Sequence, residues 1–359
     1  MRYFKFGLAI LMAVILASCG GGGSDVPAKP RFSSQVSFGD SLSDVGSYKV
    51  GLVAALGGGQ FTINGAAGTP TNWTEFIAEK LGLPAPCAAM TGLDDGTGTP
   101  SSTNVAITNY PACTGYGQGG ARVTNPIGSG NKAAPVGAGF ALTVPVVDQI
   151  AEHLARLATP STAGKFNGDE IVFVMAGAND VFYQAGLIGA GLPAASGVAA
   201  VQTAASELAA AVNTQIVDKG AKHVVVVNLP DMGSTPYATA AGAKSLFDNL
   251  VSAFNTQLKT SLPDSANVLN VDAFTASHDE IINKDKYNLT NVTGIACNLT
   301  SPSPNPLGSV LACNAGNVTG GSLTAVDHYM FADGVHPTPY AHSLFALYVL
   351  QAMTNKGWY

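Results

Sequence analysis

"VSFGDSLSDVGSY", residues 36–48, joins a short apolar run to a turn that can open a helix, and it sets Ser41 on the join. Two readings of that serine stand side by side. Ser, Thr, Asp and Asn cap helices in any protein. A nucleophilic serine, by contrast, needs a base and an orienting acid supplied from elsewhere in the chain. The run that precedes it decides the fold. "SQVSF" (34–38) is followed by three similar β-branched stretches, "IVFVM" (171–175), "HVVVVN" (223–228) and "VLNVD" (268–272), with a fifth candidate in "NVAIT" (104–108). Continuous apolar strands of this length belong to parallel sheets covered on both faces. Between them lie helical patterns: Val147, Ile150, Leu154 and Leu157; residues 202–218; residues 243–261 with Leu246, Leu250, Phe254 and Leu258; and Tyr340 to Met353. Strands alternating with helices predict a three-layer α/β/α sandwich.

The first 18 residues read as a lipoprotein signal peptide: Arg2 and Lys5, an apolar stretch from Phe6 to Ala17, then "LASCG" with small residues before Cys19. Cys19 would carry the lipid, residues 19–31 with "GGGGS" would form a flexible tether, and 32–359 would be a single domain. No autotransporter barrel follows the last helix pattern, so anchoring is expected from Cys19, in the bacterial envelope and at the outer membrane, on a monomer. The net charge is −6 and becomes more negative without the signal. A mildly acidic chain with no Lys/Arg runs lacks the footprint of a nucleic-acid partner.

Two stretches break the α/β rhythm. Residues 84–135 and 284–326 are rich in Gly, Pro, Ser, Thr and Asn, and each holds a cysteine pair. In an exported chain this favours Cys87–Cys113 and Cys297–Cys313 over the two other connectivities. Zinc is the rival, weakened by the absence of CxxC or HxxxH spacing. Such long insertions are expected to be ordered and to wall a substrate cleft.

Ligands of open α/β sheets bind beyond the carboxyl ends of the strands, where Ser41 lies. Near the C-terminus "FADGVHPTPYAH" sets Asp333 three residues before His336, again at an element end, so the two can share a hydrogen bond. "MAGANDVF" presents Asn179, whose amide can donate to an oxyanion or, with Asp180, merely cap the next helix. "GYGQGGARVTN" offers the amides of Gly119 and Gly120. Asp40, Leu42, Gly119, Asp180 and His328 are further candidates to line the site.

"FGDSLSDVG", the Gly of "GQGGA", "GAND" and "DGVHPT" resemble, in order, the successive blocks of the SGNH, or GDSL, hydrolase family; the chain has no G-x-S-x-G elbow. "NLPDMGSTP" (228–236) resembles a segment of the bacterial branch that includes lecithinases, haemolysins and autotransporter esterases. The resemblance spans about residues 34–345. It implies a flavodoxin-like sheet of about five parallel strands and a serine esterase or lipase working through an acyl-serine. Ser41 would be the nucleophile, His336 the base and Asp333 its partner. The oxyanion hole would comprise the Ser41 and Gly120 amides and the Asn179 side chain. The family's usual "NxAxGGA" is here "CTGYGQGGA", which leaves Gly119 as the alternative to Gly120. The resemblance calls for no cofactor and no metal.

Other signals are set aside. Gly115, Gly117 and Gly120 form a literal GxGxxG, but "ARVTNPIGSGNKAAP" is not the helix a dinucleotide needs. His153, His223, His278, His328 and His342 lack metal-like spacing, and the N-x-S/T triplets at Asn72, Asn288, Asn291, Asn298 and Asn317 mean little in a bacterial lipoprotein. Two alternatives to hydrolysis stay open: acyl transfer from the same acyl-enzyme to an alcohol, and a non-catalytic surface lipoprotein that only binds. The acyl and alcohol parts of the ester are not legible.

Overall fold

A computed structural model describes residues 29–135 and 137–359. The expected signal peptide, the lipidation site at Cys19 and the tether up to residue 28 lie outside the described residues. Four strands form a parallel sheet in chain order: β1 (Gln35–Gly39), β2 (Ile171–Met175), β3 (His223–Val227) and β4 (Val268–Val271).

Alternate side chains of each strand leave opposite faces of the sheet. Val36, Phe38, Val172, Val174, Val224 and Val226 pack in one core with the helices Val146–Arg156, Ala178–Gly189, Ala194–Ala211 and Lys244–Ser261. Ile171, Phe173, Val225, Val227 and Val271 pack on the other side with Trp73–Leu81 and the C-terminal helix Pro339–Asn355. This is the expected three-layer sandwich. Two of those helices start at strong caps. Asn72 accepts from the Thr74 amide while Glu75 accepts from the Asn72 amide, and Thr338 caps Pro339–Asn355, whose first residue is proline.

The sheet has four strands rather than about five. Val105–Asn109 is a strand but not of this sheet; it pairs antiparallel with Met90–Leu93 in a separate two-stranded sheet and is largely exposed. The flanking position beside β1 is filled by a single parallel bridge between Ser37 and Gly115, with Ser37 N–H donating to Thr114 at 3.0 Å and Tyr116 N–H donating back to Ser37 at 2.7 Å. Counting that bridge as a vestigial strand gives the spatial order 2-1-3-4-5 of flavodoxin-like sheets.

Both disulfides form as expected, Cys87–Cys113 and Cys297–Cys313, with Cα separations of 5.1 and 5.8 Å. The first fastens the bridging segment, since Ala89 N–H donates to Gly115 and Gly115 N–H to Cys87. The second sits in a small core of its own with Ile63, Val310, Val318 and Ala332. Among the described residues no helix is long and apolar enough to cross a membrane.

Unfolding the unreduced protein should expose no reactive thiol among these four cysteines. Replacing Cys297 and Cys313 by serine, which opens a link of 16 residues, should lower stability by about 3 kcal/mol in a denaturant titration. Unchanged midpoints would show that the insertion is held by packing alone.

Candidate active site

β1 ends at Gly39, whose partner across the parallel ladder is Met175. The backbones approach so closely there that a Cβ on residue 39 would lie 2.3 Å from the Met175 carbonyl oxygen. Gln149 grips the same residue from both sides: its Oε1 accepts from Gly39 N–H and its Nε2 donates to Gly39 O, each at 2.9 Å. Residues Ser41–Ser43 then make a single 3₁₀ turn. Its cap is Asp40, which accepts from the Leu42 amide at 3.1 Å, and not Ser41. The Ser41 hydroxyl is thereby released from backbone duty.

That hydroxyl meets His336, with Ser41 Oγ 2.9 Å from Nε2. The other ring nitrogen, Nδ1, lies 2.8 Å from Asp333 Oδ2. Asp333 is held in turn by the amides of Val335 (2.8 Å) and His336 (2.7 Å) on Oδ1. Burial pushes its carboxyl up, but the imidazole beside it and these hydrogen bonds outweigh burial and leave it below the usual carboxylate range. The ring packs on Phe61, centroid to centroid 5.0 Å. Ser41 and His336, 295 positions apart in the chain, thus touch at one edge of the sheet.

Three residues past Met175 the chain enters Ala178–Gly189, and Asn179 sits in its first turn, 8% exposed. Its Nδ2 donates to Ala121 O at 2.9 Å, which fixes the amide and leaves its second hydrogen available. The Gly119 amide is already committed, donating to Asp44 Oδ2 at 2.9 Å. Neither the Ser41 amide nor the Gly120 amide finds an acceptor among the described residues. Gly120 has φ +81°, and a Cβ there would come within 2.0 Å of Ser129 O, so the position demands glycine.

Ser41, Leu42, Gly119, Gly120, Asn179 and His336 line one cavity of about 800 Å³. Both insertions reach it, the first through Ile127 to Pro135 and the second through Ser309 and Leu311. Three expected lining residues do not. Asp40 is buried beneath the turn as its cap. Asp180 is turned away into a buried ion pair with Arg122 Nε at 2.8 Å and accepts from the Val123 amide. His328 stacks on Tyr340 and bonds the Asn288 carbonyl. Sequence reasoning missed Gln149 and Asp44. Asp44 ties the first turn together by accepting from Gly46, Ser47 and Gly119.

A family model described as GDSL-like lipase/acylhydrolase matches residues 36–349. No curated protein matches the chain. Among solved structures it is similar to a member of the lipolytic protein G-D-S-L family from Veillonella parvula DSM 2008, with 13% identity, a TM-score of 0.39 and coverage of 89% of this chain and 98% of that one. It is similar also to the lipase Lip_vut3 from a goat rumen metagenome (13%, 0.40, 89% and 96%). The acetylxylan esterase Axe2 from Geobacillus stearothermophilus gives 14%, 0.39, 90% and 96%.

Burial lifts the Asp40 carboxyl from 3.8 to about 7, only partly opposed by the Leu42 amide and His336. A carboxyl raised in the folded state keeps its proton while the unfolded chain releases one, so its contribution falls as pH rises from about 4 to about 7. The melting temperature of Asp40→Asn minus that of the wild type should therefore climb across this window and level above it. Parallel curves would mean that Asp40 does not titrate there.

Proposed function

This chain belongs to the GDSL-like lipase/acylhydrolase family, and from that premise we propose that it hydrolyses carboxylic esters through an acyl-enzyme on Ser41. The observation that carries this reading is the unbroken chain of hydrogen bonds from Ser41 through His336 to Asp333 on the wall of the cavity.

His336 Nε2 takes the Ser41 proton as Oγ attacks the ester carbonyl, and Asp333 holds the tautomer and balances the imidazolium. The carbonyl π electrons move to oxygen, which receives hydrogen bonds from the Ser41 and Gly120 amides and from Asn179 Nδ2. Collapse breaks the bond to the alcohol, which leaves with the proton from His336. Water then repeats the sequence: His336 accepts its proton, its oxygen bonds the acyl carbon, and Ser41 departs reprotonated. The unoccupied amide of Gly120, set against the committed amide of Gly119, supports Gly120 as the donor. We also propose that the enzyme works outside the cytoplasm, anchored at Cys19. Two disulfides, which persist in oxidising compartments, support that reading.

Ser41→Ala should abolish turnover of p-nitrophenyl butyrate and labelling by a fluorophosphonate, while leaving the melting temperature within about a degree or two, as expected for a half-buried hydroxyl that faces a cavity. Equal turnover by the two proteins would remove the proposal. Asn179→Ala should lower kcat about 100-fold or more with KM little changed, the signature of a contact made in the transition state. An unchanged kcat would make Asn179 a purely structural residue.

A further inference from the structure

The cavity that opens on Ser41 extends along the carboxyl edge of the sheet to the helix Ala273–Ile282, which presents Ala273, Ser277, Glu280 and Ile281 to it. This helix follows β4, three strands away from β1. At about 4.8 Å per strand the two strand ends lie about 14 Å apart. Met175, Met232, Tyr237 and Met330 are among the many apolar residues of the same wall. Anything that spans the cavity has an apolar middle.

Glu280 is out of keeping with that wall. It is only 6% exposed and its carboxyl makes no hydrogen bond or ion pair among the described residues. The other acid on the wall, Asp231, is saturated by Ser234 and His278. The Glu280 oxygens are absent from the fully buried, unpartnered polar atoms, so they keep accessible surface on a residue that lines the cavity, and no hydrogen bond among the described residues draws on them. Burial, reinforced by Asp279, raises its pKa to about 8. At neutral pH it is therefore a neutral acid, able to donate one hydrogen bond and accept others. His342, 2% exposed on the same wall, is likewise kept neutral by burial. A wall whose titratable groups are neutral suits an uncharged hydroxyl and not a cation.

We propose that Glu280 is a specificity residue, selecting esters whose long apolar portion carries a hydroxyl group to which its carboxyl hydrogen-bonds. The inference rests on the ester-hydrolase reading above and adds the substrate class to it. A site built to bond a hydroxyl discriminates against the analogue lacking one, because its own polar group is then left unpaired.

The test compares p-nitrophenyl decanoate with its analogues hydroxylated at carbon 3, 6 or 10, on the wild type, Glu280→Leu and Glu280→Gln. The wild type should prefer at least one hydroxylated ester by about tenfold or more in kcat/KM. Glu280→Leu should erase that preference without lowering the melting temperature, and Glu280→Gln, which still donates and accepts, should keep most of it. A wild type without preference, a preference that survives in Glu280→Leu, or a stronger preference for a choline ester would overturn the proposal. Calorimetry on Ser41→Ala with the corresponding methyl esters separates the two readings. Selective binding without turnover by the wild type would remove the hydrolase reading and sustain this one, whereas binding without selection would remove this one alone.

Discussion

The parallel register that sets Gly39 against Met175 is the constraint from which the rest of the site follows. Both strands end at the same level, so the chain segments that leave them begin side by side. Ser41 lies two residues beyond one end and Asn179 four residues beyond the other, and neither has room to drift. The close contact at Gly39 admits no side chain, and Gln149 satisfies both its N–H and its carbonyl. A shift of one residue in this ladder would turn every side chain of β1 to the opposite face. It would pull Phe38 out of its core and carry Ser41 away from His336 together. The hydrophobic pattern of the strand and the position of the serine are one commitment.

Beneath the turn lies a layer of buried polar groups that act on orientation. Asp44 gathers the Gly46, Ser47 and Gly119 amides, Asp180 bonds Arg122 and the Val123 amide, and Asn179 bonds Ala121. Asp44 ties the first loop to the glycine-rich loop, and Asp180 and Asn179 tie the glycine-rich loop to the segment after β2. Because buried polar groups are expensive unless satisfied, these bonds hold the three loops in one arrangement. Such a scaffold supports the proposed oxyanion hole, in which amides are set in advance toward a developing negative charge. Two groups of the turn stay unsatisfied: Ser43 Oγ and Asp40 Oδ2 are buried with no partner among the described residues, and for Asp40 this fits a carboxyl kept protonated by burial.

Much of this was legible because strands and motifs are local. Three continuous β-branched runs and the periodic apolar residues of Val146–Arg156 and Lys244–Ser261 carry their own signal. "NVAIT" carries the same β-branched signal and yet forms an exposed strand of a separate two-stranded sheet. Propensity reports that a segment can be extended and says nothing of its partner. Asn72, which reads as one N-x-T triplet among five, is one half of a capping box with Glu75; the Asn-x-x-Glu spacing was the available signal. Gln149 had no comparable signal. It lies in an amphipathic helix, and its clamp on a residue 110 positions away exists only once the sheet has formed. Asp180 and His328 were near the right motifs, but adjacency in sequence does not set the direction of a side chain on a helix or in a turn.

The division of labour between scaffold and insertions follows from loop energetics. The entropic cost of closing a loop rises only slowly with its length, so stretches of some 40–50 residues can be inserted between fixed elements at small penalty. A disulfide inside each one offsets part of that penalty by restricting the unfolded chain. The insertions supply the cavity with Ile127, Pro135, Ser309 and Leu311 but provide none of the hydrogen bonds that join Ser41, His336 and Asp333. Under the proposed reaction, their contacts fall on the part of a substrate remote from the reacting carbon. Gly120 stands at a crossing: it belongs to the first insertion by position, yet its neighbours Gly119 and Ala121 are bonded to Asp44 and Asn179. That segment is therefore held to the scaffold while the remainder of the insertion is free to differ in shape. Under the proposed reaction, the groups that would break the ester bond are thus distinct from the insertion residues that line the cavity, and one set can change while the other stays in place.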